Sequence, residues 1–188
     1  MYQLHFRTPI VLNDPSFSPS ALFGSFPVRL VRFFPLPLAL TALSTFAPPA
    51  AAGFDEAVKA IQANDMVLAE KELQVLGKER DPRAQYLLGL YVYGNAESKL
   101  FDLTKAAPLL LDAAERGYTP AMVPLAGAYA EGKGVPKSFI DSYKWVAIAE
   151  RWNVPNMAQL IEQVSKELKP DEIAKAKAAA AVFTFKTK

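Results

Sequence analysis

A helical plan recurs along this chain with a period of about 36 residues. From position 53 onward, strand-like alternation is weak, while apolar residues recur with the spacing of one helix face. Because a single helical hairpin cannot bury its own apolar stripe, about three or more hairpins must stack. The period therefore predicts an α-solenoid, which usually offers a binding surface rather than a reaction centre. The three stripes are Met66, Ala69, Leu73 and Leu76; Leu103, Ala106, Leu110 and Ala113; and Phe139, Ser142, Trp145, Val146 and Ala149.

Capping signals mark the boundaries between these helices. Asp81-Pro82 and Thr119-Pro120 each place an N-capping side chain before a proline suited to the first helical turn. Candidate N-caps for the second helices are Asp65, Asp102 and Ser138, and Gly117 is placed to end a helix at C′. The sequence therefore predicts an all-α fold, a short right-handed α-solenoid of about four hairpins. Their predicted bounds are 54–62 with 66–77, 83–93 with 103–116, 120–131 with 139–151, and 157–168 with 171–183.

The repeat domain is thus predicted over 53–183, with 184–188 as a C-terminal tail. Phe183 and Phe185 are expected to fold back on the last helix, and the last few residues to fray.

Gly132-Lys133-Gly134 is interpreted as a tight turn that uses positive φ, since a phosphate loop needs a longer motif between a strand and a helix.

The segment before the domain has the organisation of a removable leader. Arg29 and Arg32 form a basic n-region, residues 33–46 an apolar h-region, and Ala50–Ala52 supply small residues at a cleavage site. This pattern predicts a signal peptide that is cleaved before Gly53. Because the apolar run is shorter than the ~20 residues that span a bilayer, cleavage is preferred over the alternatives, an uncleaved membrane anchor or a buried helix.

Residues 1–27 would make an unusually long n-region. They contain several turn-forming residues and show little periodicity. The prediction is that translation begins near Val28.

The composition of residues 53–188 excludes several classes of functional site. The chain has 21 basic and 19 acidic residues, of which the leader holds three and one, so residues 53–188 carry 18 of each. A neutral domain without a basic run does not indicate nucleic-acid binding. Residues 53–188 also contain no histidine and no cysteine, which excludes Cys/His zinc sites, thiol nucleophiles and histidine-based triads.

The third hairpin carries a motif that resembles the Sel-one-like repeat family, short α/α repeats related to tetratricopeptides. The matching residues are Ala121, Leu125, Tyr129, Gly132, Gly134, Val135, Trp145 and Ala149. In the preceding copy, Ala84, Leu88 and Gly89 fit, but Tyr93-Gly94 is offset by one residue and the G-x-G-V element is absent. The resemblance implies an α-solenoid that binds proteins, and exported bacterial members make a periplasmic or secreted location the expectation.

Within such a solenoid, the first helices of the hairpins line the concave side. Tyr86 and Met122 fall on those helices and are expected to be exposed there. Tyr93 and Trp152 are less clearly core positions than Tyr129 and Trp145. These four residues (Tyr86, Tyr93, Met122 and Trp152) are the predicted protein-binding positions.

No catalytic, cofactor-binding or metal-binding residue is predicted. The serines of residues 53–188 open no S-x-x-K motif, and no S-D-N, K-T-G or G-x-S-x-G motif is present. The leading hypothesis is an exported adaptor for a protein or peptide, with no cofactor. The alternatives are a membrane-tethered envelope assembly or stress-signalling module, held through an uncleaved leader, and a cell-wall or small-ligand hydrolase.

Overall fold

The computed structural model describes residues 49–78 and 80–186, with side chains from Gly53 onward. The leader through residue 48, with the translation start predicted near Val28, lies outside the described residues. Across the described part, the chain forms helices joined by turns and contains no strand, which confirms the all-α class. None of these helices is both long and apolar enough to cross a membrane.

Eight α-helices of the described residues pair into the four predicted hairpins. The hairpins are α1 (Pro49–Gln62) with α2 (Met66–Lys78), α3 (Pro82–Leu87) with α4 (Leu103–Glu115), α5 (Met122–Glu131) with α6 (Phe139–Arg151), and α7 (Met157–Ser165) with α8 (Pro170–Ala181). A π-helical turn, Leu88–Val92, continues α3, and a 3-10 turn, Thr119–Ala121, leads into α5. Helix α6 packs against α5, α7 and α8, so both helices of the last hairpin rest on it.

The turns between hairpins repeat one backbone motif. Arg80, Gly117 and Asn153 each follow a second helix with φ of +57°, +87° and +59°. After Gly117, the Tyr118 N–H donates to the Ala113 carbonyl at 3.0 Å, the pattern of a Schellman motif. Matching hydrogen bonds join Asp81 to Leu76 and Val154 to Ala149. Gly117 was predicted, whereas Arg80 and Asn153 were missed because no glycine marks them.

The predicted N-caps are largely confirmed. The carboxylates of Asp65, Asp81 and Asp102 and the hydroxyl of Ser138 accept backbone N–H groups of the following first turns. The cap predicted at Thr119 is wrong, because this residue already lies inside the 3-10 turn, and Tyr118 precedes it without a side-chain cap. The three predicted caps of second helices and the cap at Asp81 therefore follow the sequence signal, while the third hairpin opens with a tighter turn.

The π-helical turn resolves the irregularity of the second repeat. Ala84 corresponds to Ala121 in the third repeat, 37 residues later, yet the repeat closes 36 residues apart. The Asp102 N–H donates to the Tyr93 carbonyl, and the Ser138 N–H donates to the Tyr129 carbonyl, both at 2.9 Å. The π turn thus absorbs one extra residue. The hairpin loop of the second repeat, which lacks the G-x-G-V element, therefore closes with the same hydrogen bond as the loop of the third repeat.

The core follows the predicted stripes and extends through the stack. Trp145 and Tyr143 are the largest fully buried side chains, and Leu73, Leu125 and Ile148 are also completely buried. Trp145 belongs to the cluster formed by the second to fourth hairpins, as predicted for a repeat-core position. This continuous packing holds the surfaces between hairpins in fixed positions.

Candidate functional site

The four predicted binding residues lie in different environments. Trp152 is 48% exposed at the C-terminal end of α6, and Tyr86 is partly exposed on α3. Tyr93 is buried, and its hydroxyl donates to the Glu70 carboxylate at 2.5 Å. Only Tyr86 and Trp152 are therefore available for contact in this arrangement.

The exposure expected for Met122 is wrong. Its side chain is fully buried together with those of Ala121, Leu125 and Ala126. The reason is that α5 lies between α4 and α6, so most of its circumference is covered rather than one stripe. A direct binding contact at Met122 is not available in this structure.

Three tyrosines form a partly exposed group on the hairpin boundary, and we call Tyr86, Tyr91 and Tyr118 the tyrosine cluster. The Tyr86 and Tyr91 rings meet edge to face with centroids 6.2 Å apart. The Tyr86 and Tyr118 rings lie 5.2 Å apart with an interplanar angle of 58°. Aromatic pairs of this geometry contribute roughly 0.5–1.5 kcal/mol beyond area burial, so the cluster is held in place before any partner arrives.

The π turn is what brings Tyr91 to Tyr86. Residues five apart diverge by about 140° around a regular α-helix but come closer to one face when a turn takes in an extra residue. The same insertion that offsets the repeat therefore builds half of the tyrosine cluster. The predicted binding positions did not include Tyr91 or Tyr118, although the one-residue offset at Tyr93 was an available signal for Tyr91.

Tyr86 is the fixed centre of the tyrosine cluster. It packs against both main core clusters, one dominated by the first two hairpins and one by the later hairpins. Burial raises the pKa of its hydroxyl, and the neighbouring Tyr91 and Tyr118 add to the rise. A tyrosine hydroxyl is protonated at physiological pH even at its ordinary pKa of ~10, and this environment favours the neutral form further.

A charged network flanks Tyr86 through the adjacent Gln85. The Gln85 amide donates to the Asp112 carboxylate at 2.5 Å, and Arg116 Nε donates to the same carboxylate at 3.1 Å. Arg80 lies 3.5 Å from its other oxygen. Partial burial acts to raise the pKa of Asp112, but the hydrogen bonds from Gln85 and Arg116 outweigh it and hold that pKa below its usual range.

This network predicts acid sensitivity. Because the folded pKa of Asp112 is lowered, its contribution is complete above the unfolded value of ~3.9 and is lost as pH falls through the folded value. Asp112→Asn should lower the free energy of unfolding by about 1 kcal/mol at pH 7 and flatten its decline between pH 5 and 2. Urea unfolding at several pH values measures this, with exposed Asp171→Asn as the matched control. An unchanged slope in Asp112→Asn would contradict the assignment.

The C-terminal tail, by which we mean from here on residues 182–186 that follow the last helix, lies against the ends of α4 and α6. Phe183 packs on Trp145 with centroids 5.3 Å apart, and Phe185 packs on Trp152 at 4.7 Å. The expectation that the two phenylalanines fold back is met, but they reach beyond the last helix to α6. Fraying is not seen as far as Lys186, whose N–H donates to the Glu115 carbonyl at 2.7 Å.

Within the described ranges, no group of three or more His, Cys, Asp or Glu side chains converges to hold an ion. The surface around the tyrosine cluster and the C-terminal tail instead presents aromatic rings and hydrogen-bonding groups.

A solved structure with a similar fold is that of a protective antigen present in uropathogenic Escherichia coli strains, displaying an SLR (Sel-one-like repeat) fold. The TM-score is 0.65 at 20% sequence identity, over 71% of this chain and 29% of the antigen. The chain therefore spans less than a third of the antigen's length. No protein-family model and no curated protein matches the sequence.

Proposed function

We propose that this chain, whose fold is the Sel-one-like repeat solenoid, is an exported bacterial scaffold that binds a protein or peptide partner through the tyrosine cluster. Repeat scaffolds of this kind typically serve protein–protein interaction, because stacked hairpins present a continuous surface without a catalytic pocket. The partner would be engaged in the periplasm or outside the cell, and no cofactor would take part.

The tyrosine cluster is the observation that carries this proposal. Tyrosine is enriched at binding hot spots, because its ring gives a large contact area while its hydroxyl forms directional hydrogen bonds. Tyr86 is braced by two core clusters, so little side-chain entropy remains to be lost on binding. Tyr91 and Tyr118 flank it at a hairpin boundary and remain partly exposed. A partner would therefore meet a rigid aromatic surface.

Export by a cleaved leader is supported by the sequence pattern of Arg29 and Arg32, the apolar run 33–46 and the small residues Ala50–Ala52. In the repeat domain, Phe54 is 7% exposed and Ala57 is completely buried. Cleavage after Ala52 would leave both in place, although it would shorten α1 at its N-terminal end. N-terminal sequencing of the protein made in its host should therefore read Gly53 first. A mature protein that retains the apolar run of 33–46 would instead indicate the membrane-tethered alternative.

Partner capture with matched variants tests the binding surface. The tagged chain would be expressed with its own leader in the host and crosslinked, and the co-purified proteins would be identified by mass spectrometry. Tyr91→Ala/Tyr118→Ala should reduce recovery of an enriched partner at least tenfold, since hot-spot truncations cost about 2 kcal/mol or more. This pair spares Tyr86, whose removal would disturb both core clusters.

Phe101→Ala is the control variant. Phe101 is a large hydrophobic residue that is 46% exposed and lies outside the tyrosine cluster, so its replacement should leave recovery unchanged. Equal recovery with the tyrosine variant, at equal expression and unchanged helicity, would rule out the tyrosine cluster as the binding surface.

A further inference from the structure

The C-terminal tail has the form of a bound peptide rather than of a helix end. Residues 182–186 follow α8 without regular helical structure. Phe183 and Phe185 are partly buried, whereas Val182 is 79% exposed and Thr184 also faces solvent. An extended segment presents alternate side chains to a surface in this way.

The surface beneath the tail offers a separate contact for each part of the segment. Phe183 and Phe185 rest on Trp145 and Trp152, and the Phe185 ring lies over Gly117. A Cβ atom at Gly117 would already stand 3.4 Å from that ring. The Phe185 ring therefore lies directly against this turn, at a distance that a Cβ atom would just reach in ordinary van der Waals contact.

Main-chain and charged groups complete the contact. The Lys186 N–H donates to the Glu115 carbonyl, one of the last carbonyls of α4, which have no partner within the helix. The Lys186 ammonium lies 2.5 Å from the Glu115 carboxylate. Arg151 donates to the Phe183 carbonyl at 2.7 Å. Both ends of the Phe-Thr-Phe-Lys segment are thus held by hydrogen bonds.

Solvent still reaches this contact. Trp152 remains 48% exposed with the tail in place, and the Lys186 side chain is 56% exposed. Exposed ion pairs are weak, so the distal half of the tail is held less firmly than a core element. The distal half is therefore the part of the tail that another segment could replace.

We propose that the surface formed by Glu115, Gly117, Trp145, Arg151 and Trp152 is a second peptide-binding site, filled in cis by the chain's own tail. Its ligand is an extended segment with the order aromatic, any residue, aromatic, basic. A partner segment of this chemistry would displace the tail and extend the bound surface to Gly117, which immediately precedes Tyr118 of the tyrosine cluster. The tail site is tested separately from the tyrosine cluster, so its failure would leave the proposed function standing.

A direct binding measurement uses a fluorescent peptide of residues 182–188. In the full chain, the tethered tail competes at an effective concentration on the order of 1 mM. Phe183→Ala/Phe185→Ala removes both anchors of the competing tail while leaving the surface intact. Fluorescence anisotropy should show saturable binding of the peptide to this release variant, about tenfold tighter than to the unchanged chain.

Matched controls distinguish a specific peptide site from nonspecific binding of the peptide. Adding Trp152→Ala to the release variant should weaken peptide binding about tenfold, while adding Phe101→Ala should not, although the two residues are equally exposed. A peptide with both phenylalanines replaced by alanine should not bind. A release variant that retains native helicity yet shows no saturable binding at millimolar peptide would overturn the proposal, since the tail would then be a structural cap only.

A second measurement avoids removing Phe183 from its contact with Trp145. The chain contains no cysteine, so Thr184→Cys allows a single fluorophore to be placed on the exposed side of the tail. Excess unlabelled peptide should lower the fluorophore's anisotropy as the tail is displaced. If the anisotropy stays constant up to millimolar peptide while the protein remains folded, the proposal that the peptide displaces the tail is wrong.

Discussion

Replacing Gly134 with alanine should destabilise the repeat domain by about 3–5 kcal/mol, because it combines a backbone clash with backbone strain. A Cβ atom at this position would stand only 1.9 Å from the Leu103 carbonyl oxygen. The φ of Gly134 is +73°, which side-chain-bearing residues adopt at a cost of roughly 1–2 kcal/mol. Neither the loop nor the first turn of α4 can move without opening the contact between the second and third hairpins.

Gly132→Ala is the matched control for this prediction. Gly132 has the same φ of +73°, but its added Cβ would meet the Lys137 side chain at 3.1 Å rather than a helix carbonyl. We expect a loss of about 1–2 kcal/mol there, measured by urea unfolding of both variants. Equal losses at the two positions would show that strain alone, and not the close approach to α4, accounts for Gly134.

Replacing Trp145 with alanine should lower the free energy of unfolding by about 3–5 kcal/mol, the usual range for a buried tryptophan. Its side chain is 1% exposed and belongs to the cluster that joins the second, third and fourth hairpins. It also supports Phe183, so its loss should free the tail as well. Thermal unfolding followed by circular dichroism, together with urea unfolding, measures the effect.

Trp152→Ala provides the comparison on the same helix. Trp152 is 48% exposed, and its ring contact is with Phe185, so we expect a loss of no more than about 1 kcal/mol. A large loss at Trp152 with a small one at Trp145 would contradict the assignment of Trp145 to the repeat core.

The helices and hairpins could be predicted because periodicity and capping are local. The stripe through Leu73, the cap at Asp102 and the C′ glycine at Gly117 each depend on residues within two turns of one another. Stacking then follows from the requirement to bury those stripes. The four hairpins observed in the described residues match that expectation closely.

The candidate surface could be predicted only in part, because it depends on contacts between hairpins. Met122 occupies the expected helix, but covering by α4 and α6 decides that it is buried. Tyr91 contacts Tyr86 because of the π turn. In the sequence this turn is visible only as a one-residue shift of the repeat motif, which does not reveal the contact. The tail's reach to Glu115 joins residues about 70 positions apart, a separation at which sequence periodicity carries no information.

Site-specific photocrosslinking in the host would show whether the partner contacts the tyrosine cluster. A photoreactive phenylalanine analogue would replace Tyr118 in one strain and Phe101 in another, each with the native leader. We expect a discrete crosslinked species of higher mass from position 118 and none from position 101. Crosslinks of equal yield from both positions, or none from 118 at confirmed expression, would contradict this expectation.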